Sequence, residues 1–242
     1  MSIALTHAII LAAGLGTRMR PLTNRLPKPL IPVRGIPLID WCITWLKHSG
    51  IHNITVNSSY LAELLEAHLQ AAHGGEIHLS REEPLPLETG GGIAKALPLL
   101  GTQPFLAMNS DAILCDENTA ITALQAAWND TEMDFLMLLV PRENALGWEG
   151  NGDFVREVSG RIRKPRAGED APYIFTGIEV IHPRVFRECP LGAFSLNELW
   201  KRTLDSDGFY GRIRSVIMQG TWLNVGDLPG LAAAEAYLQR TT

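Results

Sequence analysis

Residues 8–20 read AIILAAGLGTRMR, in which a short apolar run is followed by a glycine-rich loop. The run from Ala8 to Ala12 is too short and too apolar for a surface helix, so it predicts a buried parallel strand. The glycines at 14 and 16 let backbone N–H groups close on an anion after that strand, and Arg18 adds a forked cation suited to phosphate oxygens. The sequence therefore predicts phosphate binding at the end of its first strand.

Lys28 follows in an unusual setting, between Pro27 and Pro29 in the stretch PLTNRLPKPLIPV at residues 21–33. Each proline fixes its own φ and restricts the residue before it, so this lysine is constrained on both sides. A lysine on a solvated face needs no such constraint. A plain strand-to-helix turn would explain the two glycines but would leave Arg18 and Lys28 without a role.

Two familiar phosphate-binding motifs do not fit this loop. The dinucleotide fingerprint Gly-x-Gly-x-x-Gly needs a third glycine, or a similarly small residue, where the chain has Met19. The P-loop needs a lysine after its last glycine, and Gly16 is followed by Thr17. A dinucleotide-dependent dehydrogenase and a P-loop protein are therefore disfavoured.

Short apolar runs alternate with helical patterns through the first half of the chain. The predicted strands are residues 8–12, 54–56, 77–79 and 105–108, and the predicted helices are residues 37–47, 60–69 and 92–100. Such repetition is typical of a parallel sheet covered on both faces. We therefore expect a Rossmann-like α/β fold, with a mixed, mainly parallel sheet and helices on both faces.

The pattern changes after a predicted strand at residues 135–140. Further short strands are predicted at residues 154–158, 161–163, 174–182, 216–217 and 221–225, and a closing helix at 229–239. Ser195 and Glu198 form a capping box for a helix that extends through Leu204. Because no linker or repeat divides the sequence, we expect a single domain over residues 1–242.

Composition narrows the class of protein. The chain has 242 residues, 46% hydrophobic and 19% charged, as in a globular protein long enough to bury a substantial core. Its net charge of −5 argues against a nucleic-acid partner. No apolar run approaches the roughly 20 residues that cross a membrane, and residues 1–7 lack the basic start of a signal peptide. We expect a cytoplasmic protein with no membrane partner.

The cysteines and histidines give no metal-binding pattern. The three cysteines show no Cys-x-x-Cys spacing and are expected to be reduced. The seven histidines are scattered, and Gly50 is expected to end a helix between His48 and His52. The sequence therefore predicts no structural zinc site.

The strings LAAGLGTRMRPLT at residues 11–23 and PKPLIPVRGIPLI at 27–39 together resemble the signature of the sugar-1-phosphate nucleotidylyltransferases. The resemblance continues through LETGGG at residues 87–92, NSD at 109–111, GDF at 152–154, RKP at 163–165, FTGI at 175–178 and WLNVG at 222–226. It therefore covers nearly the whole chain. It implies the nucleotide-diphospho-sugar transferase type of fold, with residues 1–140 binding the nucleotide and residues 141–242 forming a sugar-binding and C-terminal half.

The resemblance also implies the reaction and its residues. A nucleoside monophosphate would pass from a nucleoside triphosphate to a sugar 1-phosphate, with Mg²⁺ as cofactor and release of pyrophosphate. The implied catalytic residues are Arg18, Lys28 and Asp111, and the implied metal ligands are Asp111 and Asn224. The implied nucleotide-binding residues are Leu11, Ala13, Gly14, Gly16, Thr17, Glu88, Gly91 and Gly92. The implied sugar-phosphate residues are Asn109, Asp153, Lys164, Thr176 and Gly177.

Substrate choice stays open between members of this family. The short chain, LETGGG, and FTGI with His182-Pro183 after it are most similar to members that use UTP and N-acetylmuramate 1-phosphate in peptidoglycan recycling. Short members that use GTP and mannose 1-phosphate are the alternative. A lactyl carboxylate on the sugar would need a cation, for which Arg142, Arg163 and Lys164 are candidates.

Asn224 departs from the family pattern, which usually has a metal-binding aspartate there. An amide oxygen can bind Mg²⁺ but brings no charge, so the metal is expected to bind more weakly. Our hypothesis is that Asp227 helps to hold the ion. Alternatively, the chain is a non-catalytic member that binds a nucleotide sugar and regulates a partner; the charged residues at 18, 28 and 111 argue against this.

Overall fold

A nine-stranded sheet forms the centre of the molecule in the computed structural model, which describes residues 4–115 and 119–241. The strands described are β1 (His7–Leu11), β2 (Pro32–Val33), β3 (Ile36–Pro37), β4 (Asn53–Ser58), β5 (Ile77–Arg81), β6 (Phe105–Asn109), β7 (Ala112–Cys115), β8 (Phe135–Pro141), β9 (Ala145–Leu146), β10 (Val155–Arg156), β11 (Arg161–Arg163), β12 (Tyr173–Ile181), β13 (Phe209–Ile217) and β14 (Thr221–Asn224). The helices described are α1 (Leu38–His48), α2 (Ala62–His73), α3 (Glu88–Leu100), α4 (Thr119–Ala127), α5 (Leu196–Lys201) and α6 (Leu228–Thr241).

The sheet order is β10-β11-β13-β8-β12-β6-β1-β4-β5. β5, β4, β1 and β6 pair in parallel, and β12 and β11 are the strands that run against the rest. A smaller sheet of order β7-β14-β9 lies beside the site described below. The predicted mixed, mainly parallel sheet is confirmed.

Helices cover both faces of the sheet, as alternation along the strands shows. In β1, Ile10 packs in a cluster with residues of α1, α2, α4 and α6, whereas Ile9 packs in a second cluster with residues of α3 and α5. β6 and β8 alternate in the same way, because neighbouring side chains of a strand point to opposite faces. None of the described helices is both long enough and apolar enough to span a membrane.

The segment after β1 is not an α-helix. It forms three short 3₁₀ turns at Thr17–Met19, Leu22–Asn24 and Lys28–Leu30. The prolines at 21, 27 and 29 lack the N–H groups that a continuous helix would need. The rigid segment predicted around Lys28 is therefore built of tight turns.

Several element predictions need correction. α3 begins at Glu88 rather than at Gly92, and α2 runs from Ala62 to His73 rather than from residue 60 to residue 69. The Ser195 side chain accepts a hydrogen bond from the Asn197 N–H group, and α5 already ends at Lys201. Neither α4 nor β7 was predicted, and residues 1–3, part of the segment searched for a signal peptide, lie outside the described residues.

The three glycines at the start of α3 are required by packing. An added Cβ would overlap the Phe194 ring at Gly90, the Gly192 carbonyl oxygen at Gly91 and the Glu82 carboxylate at Gly92. The N–H groups of Gly90 and Gly91 both donate to the Phe194 carbonyl oxygen, at 2.9 and 3.1 Å. The loop before α5 is thereby held against α3.

Replacing Gly91 with Ala should lower the free energy of unfolding by about 1–3 kcal/mol, because the new methyl group would overlap a backbone carbonyl. Helix propensity alone would raise it by up to about 1 kcal/mol. Urea unfolding measures the change. Gly75→Ala is the control, because a Cβ there meets nothing within 4 Å. A Gly91→Ala protein as stable as wild type would contradict this packing.

Candidate active site

A cavity of about 460 Å³ opens at the carboxyl ends of the parallel strands. Its walls are the loop after β1, the ends of β4 and β6, and the segment between β5 and α3. Ligands of open α/β sheets bind at this edge. The cavity is therefore the candidate nucleotide site.

The glycine-rich loop lies along this cavity with Lys28 directly behind it. Gly16 has φ +61, and a Cβ there would lie 2.8 Å from the Thr23 side chain and 3.1 Å from Cβ of Lys28. The Thr23 hydroxyl donates to the Gly16 carbonyl oxygen at 2.8 Å. A side chain at position 16 would push the loop and the lysine apart.

Lys28 and Asp111 form an ion pair at the cavity. Lys28 Nζ donates to Asp111 Oδ2 at 2.6 Å, and the side chains are 13% and 23% exposed. Lys28 Nζ is also 3.5 Å from the Gly226 carbonyl oxygen, and the Val225 N–H group donates to the Asp111 carbonyl oxygen. Three distant parts of the chain thus meet at one pair of charges.

Asn224 lies beside this pair without lining the cavity itself. Its Nδ2 donates to the Gly147 carbonyl oxygen at 3.0 Å. A Cβ built on Gly226 would be 3.3 Å from Asn224 Oδ1 and 3.5 Å from Arg18 Nη1, so these groups surround one small space. The Asp227 carboxylate instead accepts from the Gly230 N–H group at 2.9 Å, at the start of α6.

These oxygen donors fit a magnesium ion. Mg²⁺ prefers hard oxygen ligands and is held by few protein groups. Asp111 offers a carboxylate, and Asn224 offers an amide oxygen on the residue before Val225, whose N–H group donates to the Asp111 carbonyl oxygen. Among the described residues, one other group could hold a metal ion, namely Asp40, His68 and His73. That group is separate from the predicted magnesium site.

Sequence reasoning missed a buried polar pair below the loop. The Asn57 Oδ1 atom accepts from the Ala12 N–H group at 2.6 Å, and its Nδ2 donates to Glu82 Oε1 at 2.7 Å. The Leu87 N–H group donates to the other oxygen of Glu82 at 2.6 Å. This chain of bonds fixes the glycine-rich loop relative to α3. The available signal was a polar residue at the end of each of two parallel strands.

A second cavity of about 260 Å³ adjoins the first, and Leu11, Thr89 and Asn109 line both. Lys164 lines it, with Nζ 4.0 Å from the centre of the Phe154 ring, and burial lowers the pKa of this lysine. Gly177, with φ +79, also lines this cavity. A Cβ at this position would overlap the Asn109 side chain, so the close contact requires a glycine.

The other two candidate cations, Arg163 and Arg142, form ion pairs with carboxylates of the protein. Arg163 makes two hydrogen bonds to Glu169, both at 2.6 Å, and Arg142 donates to Asp170 at 2.8 Å. Of the three cations proposed for a substrate carboxylate, Lys164 is therefore the one that lines a cavity.

Glu179 is a buried carboxyl group in the wall of the second cavity. It is 2% exposed, and its Oε2 atom has no hydrogen-bond partner among the described residues. Burial raises its pKa well above the usual range, and the Trp200 indole opposes this shift. Burial therefore favours the protonated form of this carboxyl group, which can donate a hydrogen bond.

Most of the predicted site residues converge on the two cavities. Those that line a cavity are Leu11, Ala13, Gly14, Gly16, Thr17, Arg18, Lys28, Glu88, Asn109, Asp111, Lys164 and Gly177. Four others make contacts within the protein. Gly91 and Gly92 pack against protein, Asp153 accepts from the Phe175 N–H group, and the Thr176 hydroxyl donates to the Leu138 carbonyl oxygen.

Comparison with known proteins identifies the family. The model of the nucleotidyl transferase family matches residues 7–163. The chain belongs to this family. The N-acetylmuramate alpha-1-phosphate uridylyltransferase of Caulobacter vibrioides is 42% identical to this nucleotidyltransferase, over 98% of this chain and 99% of that protein. The protein of the same name from Neisseria meningitidis serogroup B is 36% identical, over 95% and 96%.

The fold of this nucleotidyltransferase is also that of solved relatives. The inositol-1-phosphate CTP transferase from T. maritima superimposes with a TM-score of 0.79 at 18% identity, over 100% of this chain and 97% of that one. The sequence-based assignments of the fold, the family and an enzyme of nucleotidyl transfer to sugar phosphates are confirmed.

The pH dependence of stability tests the state of Glu179. Because its pKa is raised in the folded state, wild-type stability should fall as pH rises above the unfolded value of about 4.3. Glu179→Gln removes this titration, so its free energy of unfolding relative to wild type should increase between pH 5 and pH 8. Denaturant unfolding at several pH values measures it.

Glu188→Gln is the matched control, because Glu188 is exposed. Its stability relative to wild type should stay constant with pH. If the free energy of unfolding of Glu179→Gln relative to wild type also stayed constant with pH, the pKa of Glu179 would not be raised in the folded enzyme.

Proposed function

We propose that this nucleotidyltransferase transfers the uridylyl group of UTP to N-acetylmuramate 1-phosphate, which yields UDP-N-acetylmuramate and pyrophosphate. The observation that carries the proposal is the pair of adjoining cavities with Lys28 and Asp111 at the first and Lys164 in the second. The choice of substrates is supported by two relatives of this name that match over nearly their full length.

The nucleoside triphosphate would bind in the first cavity. Residues 13–17 line this cavity, so their backbone N–H groups would bind phosphate oxygens, and Arg18 would hold the β- and γ-phosphates that leave as pyrophosphate. Residues 1–140 supply the lining of the first cavity apart from Gly226, and residues 141–242 supply most of the lining of the second. The nucleotides that the enzyme would use are present in the cytoplasm, and its cysteines are thiols. Both points support a cytoplasmic location.

The sugar 1-phosphate would bind in the second cavity, with its phosphate next to Lys28. Lys164 would supply a positive charge for a sugar carboxylate or phosphate, and Glu179, whose pKa is raised by burial, would supply a hydrogen-bond donor in its protonated form. Asn109, in the wall of both cavities, lies where the two substrates would meet.

The chemistry needs no general base. A sugar-phosphate oxygen, already ionised near neutral pH, forms a bond to the α-phosphorus, while the bond from that phosphorus to the oxygen bridging to the β-phosphate breaks. The obstacle is repulsion between two polyanions, so catalysis rests on positioning and on charge neutralisation. Lys28 would neutralise charge by bridging the α-phosphate and the incoming sugar phosphate. To do so, its ammonium group has to leave Asp111.

Mg²⁺ is the proposed cofactor, with Asp111 and Asn224 as ligands. When bound, it would neutralise phosphate charge and polarise the α-phosphate. Since Asn224 is uncharged, Asn224→Asp should tighten metal binding; an unchanged magnesium requirement and turnover would remove Asn224 from the metal site.

Pyrophosphate release tests the proposal. With Mg²⁺, UTP and N-acetylmuramate 1-phosphate we expect turnover, and with GTP and mannose 1-phosphate we expect at least roughly 100-fold less, the discrimination that several kcal/mol of base and sugar contacts give. Omission of either substrate is the control.

Turnover confined to the second pair would overturn the proposed substrates and keep the mechanism. Absence of turnover with both pairs, in a folded protein that still binds UTP, would favour a different sugar phosphate or the regulatory function, and would overturn the proposal.

A further inference from the structure

A compact group of three metal-binding side chains lies between α1 and α2. Asp40 is in the first turn of α1, and His68 and His73 are on α2. His68 Nε2 is 3.0 Å from both carboxylate oxygens of Asp40, and His73 Nε2 is 2.9 Å from Oδ1. One ligand atom from each side chain lies within 4.8 Å of the others.

The chemistry of these atoms fits a transition metal better than magnesium. Two imidazole nitrogens and a carboxylate oxygen are donors that suit Zn²⁺, whereas Mg²⁺ prefers oxygen alone. Ligand atoms around a tetrahedral zinc with bonds of about 2.0–2.1 Å are about 3.3 Å apart, close to the observed distances between the two imidazole nitrogens and the Asp40 oxygens. A small adjustment of the side chains would admit the ion.

Burial and charge agree with a metal. The side chains of His68, His73 and Asp40 are 26%, 15% and 20% exposed, so they are ordered by the fold but open to a water as fourth ligand. Among the described residues, Asp40 has no lysine or arginine partner, and its ion-pair partners are the two imidazoles. A divalent cation would satisfy the carboxylate and both rings together.

The site is separate from the reaction centre but is mechanically linked to it. Asp40 lines neither cavity described above. The first turn of α1 nevertheless supports the segment that carries Lys28, because the Leu38 N–H group donates to the Ile31 carbonyl oxygen at 3.1 Å and the Trp41 indole to the Val33 carbonyl oxygen at 3.3 Å. An ion that joins α1 to α2 would therefore stabilise this support.

We propose that Asp40, His68 and His73 form a binding site for one Zn²⁺-type ion that ties α1 to α2 and stabilises the fold. This proposal departs from the sequence-based expectation of no structural zinc site. That expectation considered His48 and His52, which are neighbours in sequence, whereas the folded chain brings together residues from two helices. The proposal does not depend on which sugar phosphate the enzyme uses.

Metal binding by the full chain tests the proposal. After dialysis against a chelator, the protein is titrated with Zn²⁺ in excess Mg²⁺, and with Co²⁺ to observe its visible absorption. We expect one Zn²⁺ per chain, a higher Tm with the ion, and Co²⁺ bands typical of imidazole coordination. His73→Ala should weaken binding by more than about 100-fold, since even outer-shell partners of metals contribute about 10- to 100-fold.

His78→Ala is the matched control, because His78 is exposed on β5. It should bind Zn²⁺ as wild type does. His73 lies at the last residue of α2, so its replacement is compatible with folding, and Asp40→Asn provides a second variant that removes only the charge. Absence of saturable binding to wild type, or equal affinity in wild type, His73→Ala and Asp40→Asn, would overturn the proposal.

Discussion

The ion pair between Lys28 and Asp111 is the contact on which the site depends. It joins the proline-rich segment after β1 to the end of β6, and the Gly226 carbonyl oxygen next to it brings in the C-terminal part of the chain. Opposite charges that are this buried are costly unless they are paired, and Lys28 and Asp111 each have the other as partner. In the proposed reaction, phosphate would replace Asp111 as the partner of Lys28, and the metal ion would replace Lys28 as the partner of Asp111. The two groups that form the ion pair would therefore also bind the substrates.

The surrounding structure holds these two charged side chains in fixed positions. Turns with proline position Lys28, a glycine at 16 lets the loop lie against it, and the bonds of Asn57 and Glu82 fix the loop relative to α3. This rigidity suits a reaction whose barrier is mainly electrostatic, because little besides the transfer of Lys28 from Asp111 to phosphate has to reorganise when charge moves to pyrophosphate.

Local sequence determined what could be predicted. The strands of the first half, the phosphate loop and Asp111 follow from patterns within a few residues, and their positions agree with the structure. β7 was missed because it is short and pairs with β14 more than a hundred residues later. The roles of Asn57 and Glu82, like those of the Asp40–His68–His73 group, depend on contacts with residues that are distant in sequence. The assignment of Asp153 and Thr176 to substrate rests on motif resemblance alone, and the hydrogen bonds that these side chains make to the backbone could not be read from the motifs.

The magnesium dependence of pyrophosphate release by Asp111→Asn tests the account of this site most directly. We predict that turnover falls by about 10²–10³, the range for losing one preorganised electrostatic contact, and that more Mg²⁺ is needed for half-maximal rate. Asp207→Asn, at an exposed position, should change neither quantity. Wild-type turnover with an unchanged magnesium requirement in Asp111→Asn would contradict the account.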